Sequence, residues 1–336
     1  MSSHREPPHA PLRVTDDLSG KSLDAVVRAL FALTWGKARS CIETGKVQLD
    51  GQTVTNATQR VRAGSEVALR MRAPRPRPGD LAESRVVYVD THVIVVDKPA
   101  GISTIPYGDE EDPDTLDAKV RAILAKGKHA AGRDQGARPA LGIVHRLDKE
   151  TSGLIVFTRT WLAKKSLTEQ FRAHSIGRRY LAIVHGDMFP GSRSSPTPRT
   201  LRSHLVSDRG DGLRGSTQRP GQRERGATAP QLAITHVEPV ERLRGATLVA
   251  CRLETGRTHQ IRIHLSEAGH PLVGERVYIR NYARDIVPAP RLMLHAAELG
   301  FVHPATQKPL SFTLPLPPDM AEILEGLRAP DGSSTR

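Results

Sequence analysis

The spacing of apolar residues predicts a small α/β module near the N-terminus. Between Lys21 and Phe31, apolar side chains recur at intervals of three and four, so that they share one face of a helix. These side chains are those of Leu23, Val26, Val27, Leu30 and Phe31. A second, shorter helix is predicted over residues 37–43, and Gly45 is expected to break it.

Strand patterns complete this module. Residues 46–54 alternate between apolar and polar positions around Asp50-Gly51, a dipeptide typical of a two-residue hairpin turn. Residues 66–71 predict a closing strand. We therefore assign residues 14–71 to one module. Residues 1–13 contain proline and histidine but no apolar run, and we expect them to form a disordered tail.

The rest of the chain alternates strand and helix patterns. Residues 72–84 are rich in arginine and proline and predict a semi-extended linker to a larger domain at 85–317, followed by a C-terminal helix and tail at 318–336. Strands are predicted over 86–90, 93–97, 154–158, 178–186, 231–237, 246–253 and parts of 291–315. Helices are predicted over 115–125, 160–173 and 258–268.

One segment inside the larger domain lacks this patterning. Residues 190–229 contain eight arginines but only three acidic residues, and they are rich in serine, glycine and proline. No hydrophobic periodicity is visible there beyond residues 201–206, so we expect a mobile insertion. Its arginines are compatible with phosphate contacts and equally with a solvated surface.

Charge indicates the kind of molecule that the chain binds, and cysteine content indicates its compartment. The chain has 49 lysines and arginines against 36 acidic residues, a formal net charge of +13, which favours a nucleic acid or another anionic surface. No apolar run approaches the ~18 residues that cross a bilayer, so we expect no membrane partner. The two cysteines, Cys41 and Cys251, argue against a disulfide framework and fit a reducing cytoplasm.

The candidate chemistry centres on residues 145–154, His-Arg-Leu-Asp-Lys-Glu-Thr-Ser-Gly-Leu. Asp148 lies between Arg146 and Lys149, and opposite charges favour its ionised form. We expect the backbone to turn sharply at Gly153, just before an apolar strand pattern. An ionised carboxylate at the mouth of a strand indicates a catalytic group presented to a polyanion. On this motif alone, an aspartate that merely caps a turn is an equal alternative.

Residues 255–269 predict a helix with one polar edge. Thr258 is a candidate N-cap, and Gly269 is a candidate end. Ile261, Leu265 and Ala268 form the inner face of this helix. His259 and Arg262 are then expected to point the other way, toward any cleft.

Five segments, in this order, resemble the signature of the RluA family of pseudouridine synthases. They are Asp97-Lys98-Pro99-Ala100-Gly101, the motif at 145–154, Arg179-Tyr180-Leu181-Ala182, Gly256-Arg257-Thr258-His259-Gln260-Ile261-Arg262 and Leu294-His295-Ala296. The resemblance spans the whole larger domain. The chain departs from the family at Glu275, where aspartate is more frequent, and at Ile279, where glycine is usual.

The N-terminal module is similar to the S4 RNA-binding domain in its order of helix, helix, Gly-Lys-Val and Asp-Gly hairpin. Lys37, Arg39 and Lys46 are candidates for one basic edge. Together the two resemblances imply an α+β fold. The catalytic domain would have a mainly antiparallel mixed β-sheet of pseudouridine synthase type, preceded by a small S4-like α/β RNA-binding domain.

The resemblance also implies the reaction, in which uridine in RNA is isomerised. The bond from N1 to the ribose breaks, the base rotates, and C5 bonds to the same ribose carbon. No cofactor is implied, because there is no net redox change and no hydrolysis. Asp148 matches the essential aspartate, which either attacks the ribose or promotes a glycal intermediate; both routes remain open and both need the carboxylate anion.

Roles for other residues follow from the same resemblance. Arg262 is expected to pair with Asp148 and to orient it through a bidentate contact. Tyr180 is expected to stack on the target base, and Arg146 to help extrude that base. The other expected substrate-binding residues are His145, Lys98 and His259. Lys98 is expected to shape the cleft more than to act in it.

The predicted function is therefore isomerisation of specific uridines, in large-subunit ribosomal RNA, by a cytoplasmic monomer. Transfer RNA is the alternative substrate, and an inactive relative that only binds RNA is the alternative activity. A metal-dependent nuclease is a third hypothesis. Its ligands would be His145, His259, His264 and His295. The five-residue step from His259 to His264 is a poor spacing for one helix face, and we expect no metal.

Overall fold

A computed structural model of the chain describes residues 10–55, 57, 59, 61–73, 81–106, 112–125, 140–190, 197–209, 213–217, 229–279 and 282–328. The chain divides into two compact units, residues 1–79 and 80–336. None of the helices in these described ranges is long and apolar enough to cross a membrane.

The first unit packs two helices against a four-stranded antiparallel sheet. Its elements are β1 (Leu12–Arg13), α1 (Leu23–Leu30), α2 (Trp35–Glu43), β2 (Val47–Leu49), β3 (Gln52–Thr53) and β4 (Glu66–Leu69), with strand order β1-β4-β2-β3. Asp50 and Gly51 have φ angles of 51° and 78°, the left-handed pair that the tight hairpin between β2 and β3 requires. The structure contains both helices and the hairpin that the sequence pattern predicts.

One expectation for this unit is wrong. Leu12 and Arg13 belong to the sheet rather than to a tail, because β1 pairs with β4; residues 1–9 lie outside the described ranges. Two residues of the predicted basic edge also have partners within the unit. Arg39 forms an ion pair of 2.7 Å with the buried Asp24, and the Lys46 ammonium donates to the carbonyl of Ala73.

The second unit is built on one large, mostly antiparallel sheet. Its strands are β5 (Val86–Val89), β6 (Val93–Lys98), β7 (Gly142–Ile143), β8 (Ser152–Thr158), β9 (Gly177–His185), β10 (Arg199–Val206), β11 (Gly215–Ser216), β12 (Gln231–Leu243), β13 (Ala246–Leu253), β14 (Leu294–Val302) and β15 (Pro309–Thr313). The order is β11-β10-β12-β13-β9-β14-β8-β6-β5, with β15 on β14 and β7 on β8. The pairing of β14 with β8 is parallel.

Helices cover both faces of this sheet. They are α3 (Leu116–Ala125), α4 (Trp161–Arg172), α5 (Gln260–Glu267) and α6 (Pro318–Leu327). Strand β9 shows how the faces separate: Tyr180, Ala182 and Val184 join the core under α3 and α5, while Ile183 joins the core under α6. This alternation turns Tyr180 toward the side of the sheet on which α5 lies.

The expectation of a mobile insertion over 190–229 is wrong for residues 199–206 and 215–216, which form strands. Strand β10 pairs with β12 from Arg199–Val237 to Leu205–Gln231, and β11 pairs with β10. Main-chain hydrogen bonds hold β10 between β11 and β12, and few of its side chains are buried, so apolar periodicity marked only residues 201–206. Residues 191–196, 210–212 and 218–228 of the segment lie outside the described ranges.

The expected linker over 72–84 is also too long. Leu81 is buried in the core of the second unit, and residues 83–85 form a short 3-10 turn that leads directly into β5. Residues 74–80 lie outside the described ranges. A single apolar residue in a run of proline, arginine and glycine carries no periodicity, which is why the sequence did not mark it as core.

Gly153 lies within a strand, and the expected sharp turn there is wrong. Its φ is +113°, and a Cβ at this position would lie 2.3 Å from the carbonyl oxygen of Ala296, where β8 and β14 run in parallel. Glycine is needed both for the backbone angle and for this close approach.

We expect Gly153→Ala to lower the free energy of unfolding by about 2 kcal/mol or more, since it combines backbone strain with overpacking. Gly177→Ala is a matched control, because a Cβ there meets nothing closer than 3.7 Å. Calorimetric midpoints of the two variants provide the comparison. Equal midpoints would contradict this account of the β8–β14 contact.

Candidate active site

A cleft of about 600 Å³ opens where the loop before β8, the start of β9 and the first turn of α5 meet. Six of the seven residues proposed from the sequence line it. They are His145, Arg146, Asp148, Tyr180, His259 and Arg262. Among its described lining residues there are five arginines and a single acidic residue, Asp148. The cleft therefore presents one carboxylate in a strongly positive surrounding.

Asp148 has a cation on one side and an imidazole on the other. Its Oδ2 lies 3.9 Å from Nη1 of Arg262, and its Oδ1 lies 4.0 Å from Nε2 of His259. These separations are too long for direct hydrogen bonds. The Asp148 side chain is 22% exposed, so the carboxylate remains accessible from the cleft.

Arg262 makes its bidentate contact with Glu275, and the expected bidentate contact with Asp148 is wrong. Nε and Nη2 of Arg262 each donate to a Glu275 oxygen at 2.8 Å, which leaves Nη1 facing Asp148. The Glu275 side chain is fully buried, and its Oε1 also accepts the backbone N–H groups of Arg276 and Val277 at 2.9 Å. Burial alone would raise the pKa of Glu275, but its hydrogen bonds and the Arg262 charge lower it.

The first turn of α5 is built differently from the sequence expectation. His259 is the N-cap, with a left-handed backbone (φ 58°), and Thr258 is not the cap. The side chain of Gln260 stabilises the turn instead, because its Oε1 accepts from the Arg257 N–H. Thr258 Oγ1 is used elsewhere, as the acceptor of a 2.7 Å hydrogen bond from Arg146. That contact ties the exposed Arg146 across the rim of the cleft.

His259 is fixed by its neighbour Tyr278. Its Nδ1 lies 2.8 Å from the Tyr278 hydroxyl, and the two rings meet edge to face. Burial lowers the pKa of His259, while the charge of Asp148 acts in the opposite direction. The left-handed backbone and the tyrosine contact together hold the imidazole toward Asp148.

His145 forms part of the cleft wall. Its Nε2 accepts the backbone N–H of Val156 at 3.1 Å, and its ring stacks on Phe171 with 4.7 Å between centroids. Burial, together with the nearby charge of Arg178, lowers the pKa of His145 to about 3. The ring is therefore neutral at physiological pH, and one of its nitrogens is already in use.

Tyr180 and Arg178 lie side by side on the cleft face of β9. Tyr180 is 7% exposed, and burial raises the pKa of its phenol, so the hydroxyl stays protonated at neutral pH. Arg178 lies over the Phe171 ring at 5.4 Å and was not among the predicted site residues. Strand periodicity could have found it, because residues two apart share a face; Arg179 between them points away and pairs with Glu298 at 2.8 Å.

Lys98 does not reach the cleft, and its assignment as a substrate-binding residue is wrong. Its side chain is fully buried, and its ammonium donates to the carbonyls of Pro99, Lys149 and Thr151 at 3.1, 3.0 and 2.7 Å. Burial lowers its pKa to about 7. Lys98 thus holds the backbone on the C-terminal side of Asp148.

We expect Lys98→Met to reduce the free energy of unfolding by about 2 kcal/mol or more, because the buried Thr151 carbonyl and the partly buried Pro99 and Lys149 carbonyls lose the ammonium that donates to them. Turnover should fall at least about tenfold, since the Asp148 loop loses its support. Lys149→Met is the control, because that lysine side chain lies at an exposed position in the same loop. An unchanged melting temperature for Lys98→Met would contradict this role.

The four histidines of the nuclease hypothesis do not converge. His145 accepts from Val156, His264 lies between the hydroxyls of Thr235 and Ser203, and His295 contacts Ser152 at 2.9 Å. Within the described ranges, no three histidine, cysteine, aspartate or glutamate side chains are grouped as a metal site requires. The hypothesis therefore loses its geometric basis.

Comparison with known proteins shows which family the chain belongs to. A family model described as RNA pseudouridylate synthase matches residues 92–267, and the S4 domain model matches residues 22–67. Ribosomal large subunit pseudouridine synthase D of Xanthomonas campestris is 34% identical, over 96% of this chain and 95% of that protein. The chain belongs to the RNA pseudouridylate synthase family.

The family resemblance seen in the sequence is thus confirmed, and the chain is an RNA pseudouridine synthase with an N-terminal S4 domain. The protein of the same name from Zymomonas mobilis is 35% identical, over 95% of this chain and 98% of its own length. A solved human structure, RNA Pseudouridylate Synthase Domain Containing 4, aligns with a TM-score of 0.53 at 24% identity, over 74% of this chain and 95% of that one. This alignment supports the α+β synthase fold.

Proposed function

We propose that this synthase isomerises uridines of large-subunit ribosomal RNA, with Asp148 as its catalytic carboxylate. The assignment of the substrate rests on the similarity to ribosomal large subunit pseudouridine synthases D over nearly the whole chain, including the S4 domain. The five arginines of the cleft support an RNA substrate, since they offer charge to its phosphates.

The proposed chemistry starts with a uridine turned out of its stack into the cleft. The N1–C1′ bond breaks, the base rotates, and C5 bonds to C1′; C5 then releases a proton and N1 gains one. The Asp148 anion either attacks C1′ or removes a ribose proton to give a glycal. Its accessible carboxylate in the cleft suits either route.

The other cleft residues have proposed roles around this carboxylate. Arg262, held by Glu275, keeps a positive charge 3.9 Å from Asp148 without engaging it in a tight pair. The Tyr180 ring provides a stacking surface for the base. Arg146, exposed at the rim, is proposed to occupy the space that the extruded base leaves. His145 and His259 form the walls that contact the nucleotide.

We further propose that the protein acts as a monomer in the cytoplasm. Asp148 and the two groups that face it, Arg262 and His259, come together within one chain, which is compatible with a monomer. Both cysteines are free and buried, which is compatible with a reducing compartment where ribosomal RNA is made.

Mapping of pseudouridine in total RNA tests the substrate. Cells that lack the gene should lose specific pseudouridines from large-subunit ribosomal RNA, and the wild-type gene should restore them, whereas Asp148→Asn should not. Loss of sites in transfer RNA alone would assign that substrate instead. An unchanged map would support an inactive RNA-binding relative.

A further inference from the structure

The outer face of α4 exposes an aromatic side chain that the fold does not use. Trp161, the first residue of the helix, is 75% exposed, and its neighbour Leu162 is 48% exposed. The buried side of this helix is formed by Ala163 and Leu167. Large exposed apolar side chains in a cluster are typical of interaction surfaces.

The helix that carries Trp161 is firmly anchored. Thr160 caps it by accepting the Ala163 N–H, and the Thr160 hydroxyl also lies 3.1 Å from Nδ1 of His92. Near its other end, the Gln170 amide exchanges two hydrogen bonds with the backbone of Val302, at 2.8 and 2.9 Å. The indole is therefore held on a fixed support in water, which lowers the entropic cost of binding a ligand there.

The charge around Trp161 is positive. The ammonium of Lys165 lies 5.7 Å from the centre of the Trp161 ring, and Lys164 is also exposed. The first turn of α4 contains no acidic residue, although acidic side chains at a helix N-terminus would interact favourably with the helix dipole. A flat aromatic ring beside a lysine is a combination that binds single-stranded nucleic acid, through base stacking and phosphate contact.

This face is continuous with the active-site cleft. Phe171 and Arg172, at the C-terminal end of α4, line the cleft, and Trp161 lies ten residues earlier, or ~15 Å along the helix axis. Residues 161, 165 and 172 are spaced by four and seven, so they share one side of the helix. Arg172 and Lys165 are both exposed, with one exposed acidic residue, Glu169, between them in the helix.

We propose that this face of α4 is a subsite for an unpaired nucleotide that flanks the target uridine in the RNA. The base of that nucleotide stacks on Trp161, and its phosphate pairs with Lys165. RNA leaving the cleft past Arg172 follows the helix to this subsite. The inference rests on RNA being the substrate, but not on which RNA is modified.

Intrinsic fluorescence makes the test direct, because the chain has only two tryptophans, Trp35 and Trp161. In a Trp35→Phe background, a uridine decamer and a transcribed fragment of large-subunit ribosomal RNA should each quench Trp161. Trp161→Ala should weaken RNA binding about fivefold to a hundredfold, the range that one stacked base supplies. It should raise KM with kcat nearly unchanged.

Two variants separate stacking from simple loss of surface. Trp161→Phe should retain most of the affinity, and Leu162→Ala, on the same exposed turn, should leave it unchanged. Lys165→Met should reduce the slope of log affinity against log salt by about 0.7, the value for one phosphate of a single strand.

Absence of quenching by either RNA, with equal RNA affinity for Trp161→Ala and wild type, would overturn the proposal and leave a protein partner as the occupant of this face. Wild-type tritium release from C5-labelled uridine in the ribosomal fragment tests the proposed substrate separately. If that release is absent while the decamer still quenches Trp161, the subsite stands and the substrate assignment fails.

Discussion

Asp148→Asn is expected to abolish isomerisation and to leave RNA binding intact. Asparagine has nearly the same shape, but it offers no anion to attack C1′ or to accept a ribose proton. Loss of a group that acts at the reacting atoms costs at least about a thousandfold in turnover. Five cleft arginines remain in the variant, so its affinity for RNA should change little.

Tritium released from C5-labelled uridine measures the reaction, and filter binding measures the affinity. Glu150→Gln is the matched control, since it removes a carboxylate at an exposed position in the same loop. That control should keep near wild-type turnover. Substantial turnover by Asp148→Asn would remove Asp148 from the chemistry and with it the proposed mechanism.

Glu275→Gln is expected to have the second largest effect. The Arg262 side chain is 11% exposed and Glu275 is fully buried, so the variant leaves a largely buried guanidinium without its bidentate partner. Breaking a buried pair from one side typically costs about 3–5 kcal/mol of stability. Turnover should fall about a hundredfold, because Arg262 is no longer held at its distance from Asp148.

The split between kcat and KM distinguishes positioning from a purely structural role. At a temperature where the variant stays folded, loss of the Arg262 position should lower kcat and leave KM within about twofold, because the other cleft arginines still bind RNA. Glu275→Asp keeps the charge and should retain much of the activity. Glu298→Gln breaks the Arg179 pair, whose glutamate is 41% exposed, and should change the melting temperature little. A wild-type kcat in folded Glu275→Gln would argue against positioning.

Local patterns predicted most of the fold, because helix and strand periodicity reports which side chains face a core. Strands β6 and β9 and helix α1 were predictable on this basis. Strand β10 was visible only as a short apolar pattern over residues 201–206, since its place in the sheet depends on hydrogen bonds with β11 and β12 and not on its own side chains. Gly153 was misread for a related reason: its close neighbour is Ala296, far away in sequence.

The features of the candidate site likewise fall into those that the sequence could predict and those that it could not. The resemblance brought Asp148, Tyr180 and Arg262 together, although they come from elements widely separated in the chain. It could not predict that Glu275 would take the bidentate edge of Arg262, or that Lys98 would bind carbonyls, because both outcomes depend on which groups are buried together. Which buried groups pair with each other depends on how the whole core packs.

The segment around Asp148 is firmly anchored, and this determines whether the protein or the RNA must change shape when the two bind. Leu147 is bonded to the Thr104 hydroxyl through both its N–H and its carbonyl, and Ser152 is bonded to His295. With Lys98 holding the intervening carbonyls, the loop has little freedom left to lose. The work of reaching the reactive geometry therefore falls on the nucleic acid, and RNAs whose target uridine is already loosely stacked should be modified fastest.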